Sequence, residues 1–386
     1  MLEEQQQVAD SGNLRPVPVP RRMNQADINA CFGADYADAR ERFRAAAADA
    51  GVRVDELANP NAEGPRGETL TMDVARFGDR DAARVLFLTS ATHGAEGFCG
   101  SGAQVALIRS GLMDRLPAGI GVVMVHAINP YGFAHLSRTT EDNVDLNRNF
   151  IDFSSPLPDS AAYDEVHPFL LPDDWDGPGR LESEEAIARY IAERGLWAFQ
   201  CAVTGGQYSH ADGLFYGGES PSWSQLSFRQ VIGEHAGDAS HVALIDFHTG
   251  LGPYGYGEPI ATGDHAARAR ALKWYGDEVT DPDAGSSTSA PIRGFLAGAF
   301  ADAAPGAAAA SIALEYGTVP VPETLGALRA DNWLRFRGDP DSGLGRIIKQ
   351  RMRDTFYCDF DDWRAMIVTR ALDMTGRALA GLESES

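Results

Sequence analysis

Four short apolar runs limit what this chain can fold into. "AARVLFLTSA", "GVVMVHAI", "HVALIDF" and "AAASIALEY" are rich in branched and small apolar residues, the pattern of strands covered on both faces. Between the first two lies "FCGSGAQVALIRSGL", whose apolar spacing is helical. Strand, helix, strand is what a parallel sheet requires, because parallel neighbours need a crossover. "HAARARALKWYGDEV" predicts another helix between the last two runs, residues 27–50 a helix near the start, and residues 323–382 a mostly helical end. "GETLTMDVARFG" alternates as a half-buried strand does. The class expected is α/β, and ligand sites in such sheets lie beyond the carboxyl ends of the strands.

Residues 1–24 carry "RPVPVPRR", where clustered prolines prevent a helix, so an extended or poorly ordered lead-in is expected. "SSPLPDSAAYDEVHPFLLPDDWDGPG" is rich in Pro and Asp and predicts a long ordered loop over the surface. Strand patterns resume beyond it, so it does not read as a linker.

The balance of 55 acidic against 33 basic residues gives a formal charge of −22, which repels phosphate backbones and anionic lipid. No nucleic-acid or membrane partner is expected. Cys31, Cys99, Cys201 and Cys358 are scattered without a CxxC pair, which suits reduced cysteines rather than a disulfide framework. "MLEEQQQVADSG" lacks the basic and apolar regions of a signal peptide, and no apolar stretch reaches the roughly 18 residues of a membrane span. A cytoplasmic location is the expectation.

Chemistry gathers where the apolar runs stop. "TSATHGAEGF" places His93 and Glu96 three residues apart on a turn leaving a strand, where both side chains can reach one ion. "LIDFHTGLG" supplies His248 after another run, completing a His, Glu, His set with no cysteine. Each residue alone has a plainer explanation: the helix dipole favours Glu in a first turn, and a lone His after a strand is often a hydrogen-bonded core residue. "EDNVDLNRNF" adds Asn147 and Arg148, an amide and a planar fork suited to a carboxylate, although an Arg in so acidic a chain also pairs readily with Asp142 or Asp145. "ALEYGT" ends an apolar run with Glu315, a costly place for a carboxylate unless it has a partner or a task such as general base.

Taken in order, "HGAEGFCGSGAQ", "HAINPYGFAHLSRTTEDNVDLNRNF", "GGQYSHADGLFYGGESPSWS", "IDFHTGLGPYG" and "LEYGT" resemble the zinc metallocarboxypeptidase superfamily over about residues 85–318. The likeness is greatest to its bacterial branch of unknown function, itself similar to the succinylglutamate desuccinylase and aspartoacylase branch. The resemblance implies one zinc ion on His93, Glu96 and His248, with Glu315 as general base and acid. It implies that Asn147 and Arg148 hold a substrate carboxylate, that Asp145 orients His93, and that Arg138 polarises the scissile carbonyl. It also implies a three-layer α/β/α fold with a mixed sheet of about eight strands, over a single catalytic domain at residues 25–386. The substrate would be a peptide or an N-acyl amino acid.

Tyr208, Tyr216, Tyr254 and Tyr256 are candidates for lining the pocket, and His210 for a pocket wall, a proton relay or a loop hydrogen bond. Three further chemistries compete. Cys99 or Ser101 near His93 raises a cysteine or serine hydrolase, but "FCGSG" is not a nucleophile elbow. "GLGPYG" matches GxGxxG after a strand, yet Pro253 and the "YGYGEP" stretch do not open the helix a pyrophosphate needs. The third is a protein that binds zinc and a carboxylate without turnover, against which Glu315 speaks.

Overall fold

The computed structural model describes residues 21–385. Most of the expected lead-in thus lies outside the described residues. Residues 21–24 precede a short helix, Gln25–Asn29, which Asn24 caps through a bond from the Asp27 amide.

Seven strands form one sheet: β1 Val54–Glu63, β2 Thr69–Gly78, β3 Arg84–Thr89, β4 Ile120–His126, β5 His241–Tyr254, β6 Gly257–Thr262 and β7 Ala308–Gly317. Their order is β1-β2-β4-β3-β5-β7-β6. The four apolar runs are β3, β4, β5 and β7, and they pair parallel at the centre. β1, β2 and β6 pair antiparallel on the flanks. The sheet is mixed, as expected, with seven strands among the described residues where about eight were expected.

Successive strand residues face opposite ways, and the two cores follow from that. Leu86, Leu88, Ile245, Phe247 and Ile312 point to one face, where they pack with Phe98 and Trp363 of the helices Gly97–Arg109 and Asp361–Ser384. Val85, Phe87, Val123 and Leu244 point to the other, against Phe228 of the helix Trp223–Ala236 and Phe300. Helix, sheet and helix make three layers. Phe87 is fully buried between Phe228 and Phe300, and truncating such a residue to alanine costs about 3–5 kcal/mol.

Two expectations need correction. The helix read over residues 27–50 is broken into Gln25–Asn29 and Tyr36–Asp49, because Asp35 caps a new helix through the Asp38 amide. The Pro- and Asp-rich loop contains a helix, Ala161–Leu170, despite Pro168 inside it. Its Tyr163, Val166 and Leu170 recur at helical spacing and are buried with Phe215 and Phe356, and that apolar stripe outweighs the local breakers. Among the described residues no helix is long and apolar enough to cross a membrane. Cys31, Cys99, Cys201 and Cys358 are all free thiols.

Candidate metal centre

The turn leaving β3 begins with Ala91 at φ 57° and reaches His93 just before a single 3-10 turn, Gly94–Glu96. Only glycine suits position 94, since a Cβ there would lie 1.9 Å from the carbonyl carbon of Gly132. The amides of Gly94 and Ala95 donate to the carbonyls of Arg138 and Ser137, which ties this turn to the segment bearing Arg138.

Glu96 sits between two imidazoles. One carboxylate oxygen is 2.9 Å from His93 Nδ1 and the other 2.9 Å from His248 Nδ1, with the Thr249 amide donating to the second at 3.1 Å. All three side chains are buried. Burial disfavours an ionised Glu96, but His93 and His248 outweigh it and hold its carboxyl below the usual range. Burial likewise disfavours a charged His248, and Asp246 and Glu96 outweigh it in turn, raising its pKa.

Each imidazole is backed by a carboxylate on its other nitrogen. His93 Nε2 lies 3.2 Å from Asp145 Oδ1, and His248 Nε2 lies 2.6 Å from Asp246 Oδ2. At His248 an Nε2 proton given to Asp246 leaves the Nδ1 lone pair turned toward Glu96, whereas His93 Nε2 lies nearer, at 2.8 Å, to Nη2 of Arg138, which can only donate. The three candidate ligand atoms fall within 4.8 Å of one another. Two imidazoles and a carboxylate fit a divalent ion such as zinc. Such an ion would displace any proton shared between an imidazole Nδ1 and Glu96.

Asp145 caps the short helix Leu146–Asn149 by accepting from the Asn147 amide at 3.0 Å, and Arg138 Nε donates to its second oxygen at 2.8 Å. Burial opposes its ionisation, yet Arg138 and Arg148 hold its carboxyl well below the ordinary carboxylate range. Phe215 lies beneath both arginines, with its ring centre 4.9 Å from the Arg138 guanidinium and 5.5 Å from that of Arg148. Arg148 donates to the Thr204 carbonyl through Nε and Nη2 and to the Asn147 carbonyl through Nη1. Asn147 accepts from the Leu296 amide at 2.9 Å, which turns its amide nitrogen toward His248.

Glu315 lies opposite His248 in the β5–β7 ladder, and its Oε1 accepts from the Leu251 amide at 2.9 Å. Burial, and next the charge of Glu96, push its carboxyl up to about 8. His93, Glu96, Arg138, Asn147, Arg148, His248 and Glu315 all line one cavity of about 560 Å³, a size that holds a small ligand. Asp145 stands behind it. The remainder of the lining is largely apolar and includes Ile187, Leu251, Ile260 and Phe295.

Other candidates fall elsewhere. None of the four candidate tyrosines lines this cavity: Tyr208 donates its hydroxyl to the Arg148 carbonyl at 2.6 Å, Tyr216 is buried, and Tyr254 and Tyr256 are exposed. His210 lies outside the cavity, with Nε2 2.9 Å from Asp164 Oδ1. Cys99 is buried on a helix, where burial keeps its thiol protonated, and the buried Ser101 hydroxyl lies 2.9 Å from His126 Nε2. Neither lines the cavity. "GLGPYG" continues β5 and leads into β6, not into a helix.

Asp246 was missed from the sequence. Its Oδ1 also accepts from Thr89 Oγ1 at 2.6 Å and Thr92 Oγ1 at 2.8 Å, so it is held on three sides. The sign was there in "IDFH": Asp and His two apart on a strand share one face.

Fold and cluster together define the class: an α/β protein whose central strands carry a buried His, Glu, His site, able to hold a metal ion, at their carboxyl ends. The chain belongs to the family described as "Protein of unknown function (DUF2817)", whose model matches residues 32–370. Among curated proteins none matches. The solved structures that it resembles include carboxypeptidase A from Helicoverpa armigera, at 15% identity and TM-score 0.44 over 91% of this chain and 76% of that one. Bovine thrombin-activatable fibrinolysis inhibitor is another, at 10% identity and TM-score 0.47 over 93% and 99%. Succinylglutamate desuccinylase from Chromobacterium violaceum is a third, at 14% identity and TM-score 0.34 over 81% and 72%.

Proposed function

We propose that this chain is a zinc-dependent hydrolase that cuts an amide bond beside a carboxylate-bearing residue, in the manner of a carboxypeptidase, with residues 25–386 as one catalytic unit. The observation that carries this reading is the meeting in one cavity of His93, Glu96 and His248 with a general-base candidate, Glu315, whose carboxyl is pushed up to about 8.

His93, Glu96 and His248 would hold the ion, with Asp145 and Asp246 fixing the two imidazoles. A zinc ion bound there supplies Lewis acidity toward a carbonyl oxygen and toward water. Glu315 takes the proton of the attacking water and returns it to the leaving nitrogen, a task suited to a carboxyl that titrates near neutral pH. Arg138, held through Nε by Asp145, has Nη1 3.4 Å from Glu96 Oε1 and Nη2 2.8 Å from His93 Nε2, so its positive charge stands beside the centre, where it would stabilise the negative charge that develops on the carbonyl oxygen. Arg148 uses three of the five N–H groups of a guanidinium on backbone carbonyls, which leaves two for a substrate carboxylate. The largely apolar lining suits an apolar side chain beside the bond cut.

The test is a mass-spectrometric screen of the zinc-loaded protein against short peptides and N-acyl amino acids, with and without chelator. Chelator-sensitive loss of single C-terminal residues supports the carboxypeptidase reading. Release of amino acids from the acylated pool alone replaces it with a deacylase, and zinc binding with no turnover in either pool contradicts both.

A further inference from the structure

His210 does not reach the cavity, yet it has company that a loop residue rarely has. Its ring stacks on that of His167, with centroids 3.6 Å apart and planes 18° from parallel. Asp212 completes the group: His167, His210 and Asp212 each offer a ligand atom within 4.8 Å of the others. His167 Nδ1 is buried without a hydrogen-bond partner among the described residues. His210 Nε2 is 2.9 Å from Asp164 Oδ1, which also accepts from Ser209 Oγ at 2.8 Å. A proton on that Nε2 leaves Nδ1 as the nitrogen with a free lone pair.

We propose that His167, His210 and Asp212 form a second divalent-metal site, separate from the central one. The donor set is again two imidazoles and a carboxylate, with Asp164 standing behind His210 as Asp145 and Asp246 stand behind His93 and His248. Borderline ions such as zinc, cobalt or nickel suit it better than magnesium or calcium, which prefer oxygen donors. The lone pairs of stacked rings lie in nearly parallel planes, so sharing one ion requires one ring to rotate. Both histidines are only partly buried, which gives that rotation room. Asp212 is also 3.6 Å from Arg337, and binding an ion draws it from that exposed contact.

Such an ion would join two separate pieces of chain. His167 stands on the helix Ala161–Leu170, while His210 and Asp212 stand on the loop that leads to Phe215, the ring beneath Arg138 and Arg148. The same loop is tied to the central site where the Asp145 amide donates to the Tyr216 carbonyl. The second site is thus placed to stiffen the support of the arginines without touching the cavity.

The experiment counts zinc in the full untagged chain by native mass spectrometry at micromolar free zinc, in wild type, His93→Ala, His210→Ala and Asp212→Asn. Circular dichroism confirms that each variant is folded, and Asp212→Asn, nearly isosteric, serves if His210→Ala is not. Two zinc ions in wild type, one in His93→Ala and one in the His210 or Asp212 variant support the second site. One ion in wild type and none in His93→Ala overturn it while leaving the central site in place. One ion that survives His93→Ala and is lost in Asp212→Asn supports the second site and removes the basis of the proposed hydrolase, so the two claims fail separately.

Discussion

Glu315 and His248 face each other across adjacent parallel strands, paired in register near the carboxyl end of β7 and just past the middle of β5. That pairing puts a carboxyl with a raised pKa beside a candidate metal ligand by sheet geometry alone, without help from a flexible loop. Replacing Glu315 by Gln keeps the shape and removes the proton carrier. The expected result is unchanged zinc content with turnover lower by about 10²- to 10⁴-fold, read by steady-state kinetics beside metal analysis.

Asp246 sets the tautomer of His248 from behind, at 2.6 Å. Asp246→Asn preserves size and the neighbouring threonines but offers His248 a different hydrogen-bonding partner. Zinc affinity should weaken by about 10- to 100-fold, measured by competition with a chelating dye. An unchanged affinity would remove Asp246 from the account of the centre.

Arg148 recognises its carboxylate with what remains of a planar fork after Thr204 and Asn147 take their share. Lysine keeps the charge and loses the fork. Arg148→Lys should raise KM for carboxylate-bearing substrates by about 10-fold or more while leaving the KM of the matching amides nearly unchanged. Equal effects on both would show a structural role only.

His126 lies outside the cavity and dominates a different property. It is fully buried against Phe43, and burial lowers its pKa to about 3, with the charge of Arg40 adding to the shift. Its folded value lies below the unfolded value of about 6.5, so the unfolded chain binds the extra proton between those limits. The stabilisation is present above pH 6.5 and is lost as pH falls toward 3, on the order of 5 kcal/mol in all. In His126→Gln, urea unfolding measured against pH should lose this one-proton slope, even if the variant is less stable at neutral pH.

How much of this was legible depends on what each segment buries. β3, β4, β5 and β7 are continuous apolar runs because helices cover both faces, and such runs stand out in a sequence. β1 does not: "VDELANPNAE" lies at an edge with Asn59 its one buried residue, and β6, "GEPIAT", carries Pro259 at the opposite edge. The helix Ala161–Leu170 was hidden by its own Pro168 and acids, since only long-range packing on Phe215 and Phe356 explains it.

The candidate site was easier to see than the edges of the sheet. His93, Glu96, His248 and Glu315 lie in motifs on or just after central strands, which converge in a parallel sheet. Arg138, Asp145, Asn147 and Arg148 lie in one motif of the segment that follows β4. Asp246 escaped notice because it sits inside an apolar run, where its three hydrogen bonds are tertiary. The tyrosines and His210 were placed near the cavity by loop proximity, and loops turn side chains in directions that spacing does not encode.

The measurement closest to the central claim tracks turnover of a cleaved substrate while zinc is removed by chelator and then restored, in wild type and in Glu96→Gln. Glu96 joins both imidazoles, so its loss should leave no competent centre. Activity should vanish with chelator, return with added zinc in wild type, and never appear in Glu96→Gln. Turnover that ignores the chelator, or that zinc restores fully in Glu96→Gln, would contradict it.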